Sequence, residues 1–278
     1  MPPHVLKAFF AAASLFFFSL PAAAYHDEES PWVRGTAYTL RGGEFSLGIV
    51  QWEAGLLDQI MIGTCGPLWF AGPVLGGPVP NASFKMRSWF TGPLAVSLGG
   101  TLLYLDGSRV LERATNTPGQ TVRLYTFSVS GTGSYRFDDH ITGTVDLTFA
   151  KADIAGQDPN ASIAGAAVTS SFRVGFMGEY RFSRLIALQL KGRVLLYRNE
   201  PTIHSSYQPD PWTDVNAELE TVDLAPLFAT NGIASVALSG KNVNFAAGVG
   251  YGYGWIPLVD FVLSKPGITG EADLFVRF

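Results

Sequence analysis

Residues 172–182 read Phe-Arg-Val-Gly-Phe-Met-Gly-Glu-Tyr-Arg-Phe. Phe172, Val174, Phe176, Gly178, Tyr180 and Phe182 fall on one side of an extended chain, and Arg173, Gly175, Met177, Glu179 and Arg181 on the other. Strict alternation over this length is a strand signal. Two arginines and a glutamate on the second face exclude an ordinary dry core there, because buried charge without partners is prohibitive. One apolar face and one charged face on a strand of about ten residues fit a strand that crosses a membrane with its charges turned inward.

The same pattern recurs outward from this stretch. In 141–149, Ile141, Gly143, Val145, Leu147 and Phe149 oppose Thr142, Thr144, Asp146 and Thr148. In 186–193, Ile186, Leu188 and Leu190 oppose Gln189, Lys191 and Arg193. In 268–278, Ile268, Leu274, Val276 and Phe278 oppose Glu271, Asp273 and Arg277. Weaker copies lie at 45–52, 58–65, 82–90, 94–104, 121–137 and 243–255. Aromatic residues gather in two bands. Phe90, Tyr135, Phe137, Tyr180 and Phe182 lie beside the short turns, and Tyr104, Phe149 and Phe172 lie at the opposite strand ends. Such bands match the interfacial girdles of a membrane barrel.

Composition agrees. Only 15% of the 278 residues are charged, 13% are aromatic and 31 are glycine. Low charge with a mean hydropathy of +0.20 excludes a disordered chain. A net charge of −4 and a pI near 5.6 argue against a nucleic-acid partner. Beyond residue 25 there is no run of about 18 apolar residues that could cross a bilayer as a helix. The first 24 residues read as a secretory signal peptide. Lys7 precedes the apolar run 8–20, Pro21 ends it, and Ala22-Ala23-Ala24 offers a cleavage site. Residues 25–278 then form one barrel domain. Cys65 is the only cysteine, so no internal disulfide is available.

The C-terminal alternation Leu274, Val276, Phe278 resembles the assembly signal of bacterial outer-membrane β-barrel proteins. The chain is also similar to uncharacterised outer-membrane barrels through Thr39-Leu40-Arg41-Gly42-Gly43-Glu44 and Gly55-Leu56-Leu57-Asp58-Gln59-Ile60. This resemblance implies a Gram-negative outer-membrane location, with the barrel assembly machinery and outer-membrane lipid as partners. It implies a monomer of porin-like architecture and carries no known activity.

The fold expected is all-β, a transmembrane antiparallel up-and-down barrel of about 12 strands, with 10 as the rival. Ten strands are evident, and parity asks for two more. Short turns face the periplasm in such barrels, and a C-terminus there requires the last strand to descend. The strand at 45–52 is expected to descend as well. The two extra strands are expected at 32–40 and within 214–228, the latter ending in a turn at Asn231-Gly232.

The inward face should carry Lys85, Arg87, Arg136, Arg173, Arg181, Lys191, Arg193 and Arg277 against Glu44, Asp146, Glu179, Glu271 and Asp273. Lys85, Arg87, Asp146, Arg173, Glu179, Arg181, Lys191 and Arg193 are the lumen-lining candidates. The basic excess leaves two readings: an anion-favouring pore, or charges that pair across strands and fill the lumen. Glycines 248, 250, 252 and 254 share the inward face, either to leave space or to relieve crowding and bend the wall.

Catalysis and metal binding find little support. Asp138-Asp139-His140 sits at a short turn, where aspartate is ordinary turn chemistry. His26 lies near the expected mature N-terminus. His204-Ser205-Ser206, with Asp210 or Asp214, is the best hydrolase candidate, but adjacent side chains rarely form a nucleophile–base pair. No catalytic residue, metal ligand or cofactor is assigned. The expected role is non-catalytic, either structural or a small pore for polar or anionic solutes. The alternative is an outer-membrane hydrolase, a protease or lipid esterase, acting through its loops.

Overall fold

The structure is a computed structural model that describes residues 32–70, 79–116, 118–158, 163–199, 202–210, 213–219, 226–240, 242–256 and 261–278. The expected signal segment, its cleavage site and His26 lie outside the described residues.

The strands are β1 (Phe45–Gly48), β2 (Gln51–Leu57), β3 (Ile60–Cys65), β4 (Asn81–Thr91), β5 (Leu94–Asp106), β6 (Thr121–Arg136), β7 (Ile141–Asp158), β8 (Ile163–Arg181), β9 (Ile186–Arg198), β10 (Thr202–Asp210), β11 (Thr213–Leu219), β12 (Thr230–Ser239), β13 (Val243–Ile256) and β14 (Phe261–Arg277). Among the described residues two short helices, α1 (Gly66–Phe70) and α2 (Ser108–Thr115), follow β3 and β5. All pairings are antiparallel.

Twelve strands close into a barrel. β1 to β9 pair in sequence order, β9 pairs with β12, and β13 and β14 bring the sheet back to β1. The seam sets Ser46 opposite Arg277. At its foot the Phe45 N–H donates to the Phe278 carbonyl at 3.3 Å, and the Phe278 N–H returns the bond at 3.0 Å. Closure leaves no lateral edge, which a strand wall in lipid requires. The hairpin β10–β11 stands apart from the barrel and pairs with the start of β8.

The strand count of twelve is met by different strands from those expected. Residues 45–52 are not one descending strand. They break at Ile49-Val50 into β1, which runs away from the C-terminal end, and β2, which runs back. Residues 32–40 are not a strand. Gly35 has φ +72, and Thr36 Oγ1 donates to the carbonyls of Trp32 and Val33 at 2.6 and 3.0 Å, which ties the segment into a turn. The remaining wall strand is β12. Asn231-Gly232 lies within it and forms no hairpin turn, being paired with Gly252 and Tyr251. Of 214–228, the part up to Leu219 belongs to β11, outside the barrel, and 220–225 lie outside the described residues.

The outer wall is apolar as the alternation requires. Val145, Leu147, Phe176, Leu190 and Val249 are exposed on it. At the end bearing the short turns, Tyr135 packs edge-on against Phe137 at 4.9 Å, and Tyr180 against Phe182 at 5.0 Å. Toward the other end, Tyr104 meets Tyr125 at 4.6 Å and Phe127 meets Phe149 at 6.2 Å. The side chain of Phe90 lies outside the described residues. These are the two aromatic girdles of a transmembrane barrel.

Glycines 248, 250 and 252 permit close backbone approach. A Cβ at Gly250 would stand 1.9 Å from the Gly232 carbonyl oxygen, and one at Gly248 would stand 2.4 Å from Ser235 Oγ. Gly252 has φ +139, closed to other residues. The β12–β13 wall is therefore crowded, and these glycines relieve it.

Candidate functional site

The interior at the short-turn end is occupied by residues 32–40. Trp32, Val33, Ala37, Tyr38 and Leu40 are all buried. Enclosed by the wall except at Arg34 and Gly35, this segment has no lipid-facing side, which is why it shows little alternation. The wall makes room for it with small side chains. Ala187, Ala237 and Ala246 face inward around Trp32, with Phe275 meeting its ring edge-on at 5.2 Å. Ala95 receives Ala37 and Tyr38, while Met61 packs on Val33 and Leu40.

Polar contacts fasten the plug. Lys85, from β4, donates from Nζ to three backbone carbonyls, those of Val33, Thr36 and Tyr38, at 2.9, 3.1 and 3.0 Å. Its charge is met by the dipoles of a turn, the role a cation plays at a helix C-terminus. Arg34 binds the wall at β2 and β14. Its Nε donates to Glu53 at 3.3 Å, its Nη1 pairs with Asp273, and its Nη2 donates to the Gln51 carbonyl at 2.9 Å. The guanidinium also lies 4.2 Å above the Phe275 ring. The Ala37 N–H donates to Ser134 Oγ at 2.9 Å, and Thr39 Oγ1 to the Asp58 carbonyl at 2.7 Å.

The lumen-lining candidates fall on the inward side of their strands, and several are joined in pairs. Arg181 Nε donates to Glu179 at 2.8 Å, and Gln189 Nε2 donates to the other oxygen of that carboxylate at 2.9 Å. All three side chains are buried. Lys191 donates to Glu271 at 2.5 Å, and Ser235 donates to the same oxygen. Arg277 donates to Glu44 at 2.7 Å. Arg87 donates to the Asp58 carbonyl at 3.0 Å. Nearer the long-loop end, Asp146 accepts from Thr148 at 3.2 Å and fills the space left by Gly175, where a Cβ would lie 2.0 Å from its Oδ1. Arg173 is half-buried there and Arg193 exposed.

Sequence reasoning missed Arg34, Glu53, Ser134 and the fully buried Gln189 as working residues. Arg34 was hidden in a run read as wall strand, and Glu53 behind the undetected β1–β2 turn. A usable signal existed in the inward alanines at one level of four strands.

Of the catalytic candidates, Asp138 and His140 share one turn. Asp138 Oδ1 accepts the N–H groups of His140 and Ile141, both at 2.7 Å. These bonds hold its carboxyl below the usual range and define a side-chain-capped turn. The ring of His140 bonds the Arg181 carbonyl through Nδ1 at 2.8 Å. His204 lies in β10 opposite Ala166 and Glu218, and Asp210 and Asp214 lie in the β10–β11 hairpin.

No protein-family model matches the chain, and no curated protein sequence matches it. Solved structures that resemble it are outer-membrane barrels. The Pseudomonas putida toluene transporter TodX aligns with a TM-score of 0.46 and 10% identity, over 92% of this chain and 93% of that one. The CymD monoaromatic hydrocarbon channel aligns with a TM-score of 0.44 and 10% identity, over 86% and 87%. The translocator domain of the autotransporter NalP from Neisseria meningitidis aligns with a TM-score of 0.41 and 9% identity, over 84% and 83%. The closed wall, its apolar exterior and its two girdles make this chain an outer-membrane type of β-barrel.

Proposed function

We propose that the protein is a non-catalytic integral outer-membrane barrel whose lumen is held shut by its own residues 32–40, and that it passes small polar solutes only when this segment is displaced. The observation that carries this reading is the seating of the segment by Lys85 and Arg34. Both anchors are polar, and polar anchors can exchange partners with water as the segment moves. The buried Trp32, Val33, Tyr38 and Leu40 resist displacement, because they lose their burial on leaving, and so keep openings rare.

Planar-bilayer recording tests this on the protein as a whole. The native barrel should be silent, or open in rare brief steps. The Arg34→Ala/Lys85→Ala double variant, or deletion of residues 25–40, should give long-lived conductance. Steady conductance of the native protein equal to that of the variants would overturn the reading, as would silence of both variants in correctly folded form. Cell fractionation should place the protein in the outer membrane, with anomalous gel mobility before boiling.

A further inference from the structure

The inner wall changes character above the level of the seated segment. Arg193 is the next inward residue after Lys191 on β9, toward the long-loop end, and the register sets it beside Gly175 of β8 and Asn231 of β12. It lies on the inward face yet is exposed, so this level of the lumen is wet. Arg173 pairs with Leu195, and Arg198 with Ser171. Arg193, Arg173 and Arg198 are thus successive diagonal neighbours across the β8–β9 pair, at a spacing of about 7–8 Å that long side chains span.

The charge here is one-sided. Lower in the barrel, inward bases meet carboxylates: Arg181 meets Glu179, Lys191 meets Glu271 and Arg277 meets Glu44. In the stretch of β7, β8 and β9 formed by 146–150, 171–175 and 193–198, three arginines stand with one carboxylate, Asp146. Asp146 leans over Gly175, the residue opposite Arg193. The adjoining wall, 97–101 of β5 and 128–132 of β6, holds no charge and offers the hydroxyls of Ser130 and Thr132 beside Thr148 and Asp146. A narrow passage with low-dielectric walls focuses the field of such a group.

These features select the ligand. A guanidinium presents a planar fork that matches a carboxylate or phosphate through two parallel hydrogen bonds. A cation gains nothing from a stretch with more arginine than aspartate, and a neutral solute gains only contacts that water also makes. Asp146 tempers the field and keeps the hold weak enough for release, which a passage needs. We infer that Arg173, Arg193 and Arg198 form a capture site for a small oxyanion, a solute carrying a carboxylate or a phosphate, on the long-loop side of the segment that shuts the lumen. The site rests on the reading of this lumen as a gated passage and names what the passage takes.

Arginine labelling of the whole native protein in lipid vesicles tests this while the lumen is shut. Phenylglyoxal modifies accessible guanidinium groups, and mass spectrometry reads each site. Millimolar inorganic phosphate or succinate should slow modification of Arg193 several-fold, while Arg109, exposed on α2, keeps its rate. The arm with the greater protection tells phosphate from carboxylate. Arg173→Gln should remove most of the protection of Arg193. In the Arg34→Ala/Lys85→Ala barrel, reversal potentials at about 0.1 M potassium chloride should favour chloride about tenfold, the lower end of what a focused field provides. Adding Lys151→Gln, on the outer face, should leave that ratio unchanged. Equal protection of Arg193 and Arg109, equal protection of Arg193 by glucose, or conductance without anion preference would overturn the inference. Silence of the folded double variant would count against the gated passage alone, and protection of Arg193 would still decide this site. If Arg173→Gln fails to assemble, the native comparison of Arg193 with Arg109 decides.

Discussion

The ammonium of Lys85, carried by a wall strand, sits 2.9 Å from the carbonyl oxygen of Val33, in the segment that crosses the lumen. This contact ties a residue legible as inward-facing to a segment that is not part of the wall. The buried Val33, Thr36 and Tyr38 carbonyls share this one cation.

Removing it should loosen the segment before it loosens the barrel. In Lys85→Met, buried carbonyls lose their donor, at a cost of about 1–3 kcal/mol for each group left unpaired. Hydrogen exchange should speed up across 33–40 by tenfold or more, while β6 to β8 stay protected. Uniform acceleration over the whole barrel would contradict a separable plug.

The seam predicts an assembly defect. Phe278 exchanges both of its backbone bonds with Phe45. Deleting Phe278 removes half of this closing pair and the terminal residue of the expected assembly signal. Outer-membrane yield should fall several-fold, and more than the urea resistance of barrels that do assemble. Unchanged yield would refute this.

The two faces of β9 should respond to arginine for different reasons. Leu188 faces lipid, where arginine near the midplane costs about 2–4 kcal/mol. By alternation alone, Gln189 on the lumen side should tolerate arginine better. The structure revises this. Gln189 is fully buried and donates to Glu179. Gln189→Arg should therefore destabilise folding into lipid vesicles by an amount comparable to Leu188→Arg. The milder Gln189→Ala should cost about 1–2 kcal/mol by leaving one oxygen of Glu179 without its donor. Full tolerance of Gln189→Arg in a urea titration would show that the lumen there is wet.

Glycines should divide by their neighbours. Gly250→Ala places a methyl group against the Gly232 carbonyl and should block pairing of β12 with β13, lowering folded yield several-fold. Gly133→Ala meets nothing within 4 Å and should leave yield unchanged. Similar yields for both would mean that β12 and β13 lie farther apart than described.

The sequence by itself determined the class of fold. Alternation in 141–149, 172–182 and 186–193 is a one-dimensional record of a wall with lipid on one side and polar groups on the other, so it survives without knowledge of the partners. Parity even gave the strand number, because up-and-down closure is a counting rule. What tertiary structure alone decided is where the chain leaves the wall. Residues 32–40 are buried except at Arg34 and Gly35, and a segment enclosed by other strands carries no periodic signature. The β1–β2 turn at Ile49-Val50 passes unnoticed because its residues are apolar and one side faces lipid, where no polar turn chemistry is required. β12 went unread because Asn231-Gly232, a turn pair in isolation, is held extended by Arg193 and Gly192 on one side and Gly252 and Tyr251 on the other. The charges were readable as inward, and Glu179 and Arg181 as same-face neighbours on one strand, but whether Gln189 reaches Glu179 depends on register between strands, and whether Lys191 meets Glu271 depends on β9 and β14 coming close across a narrow interior. Those are distances in space, and local sequence fixes only distances along the chain.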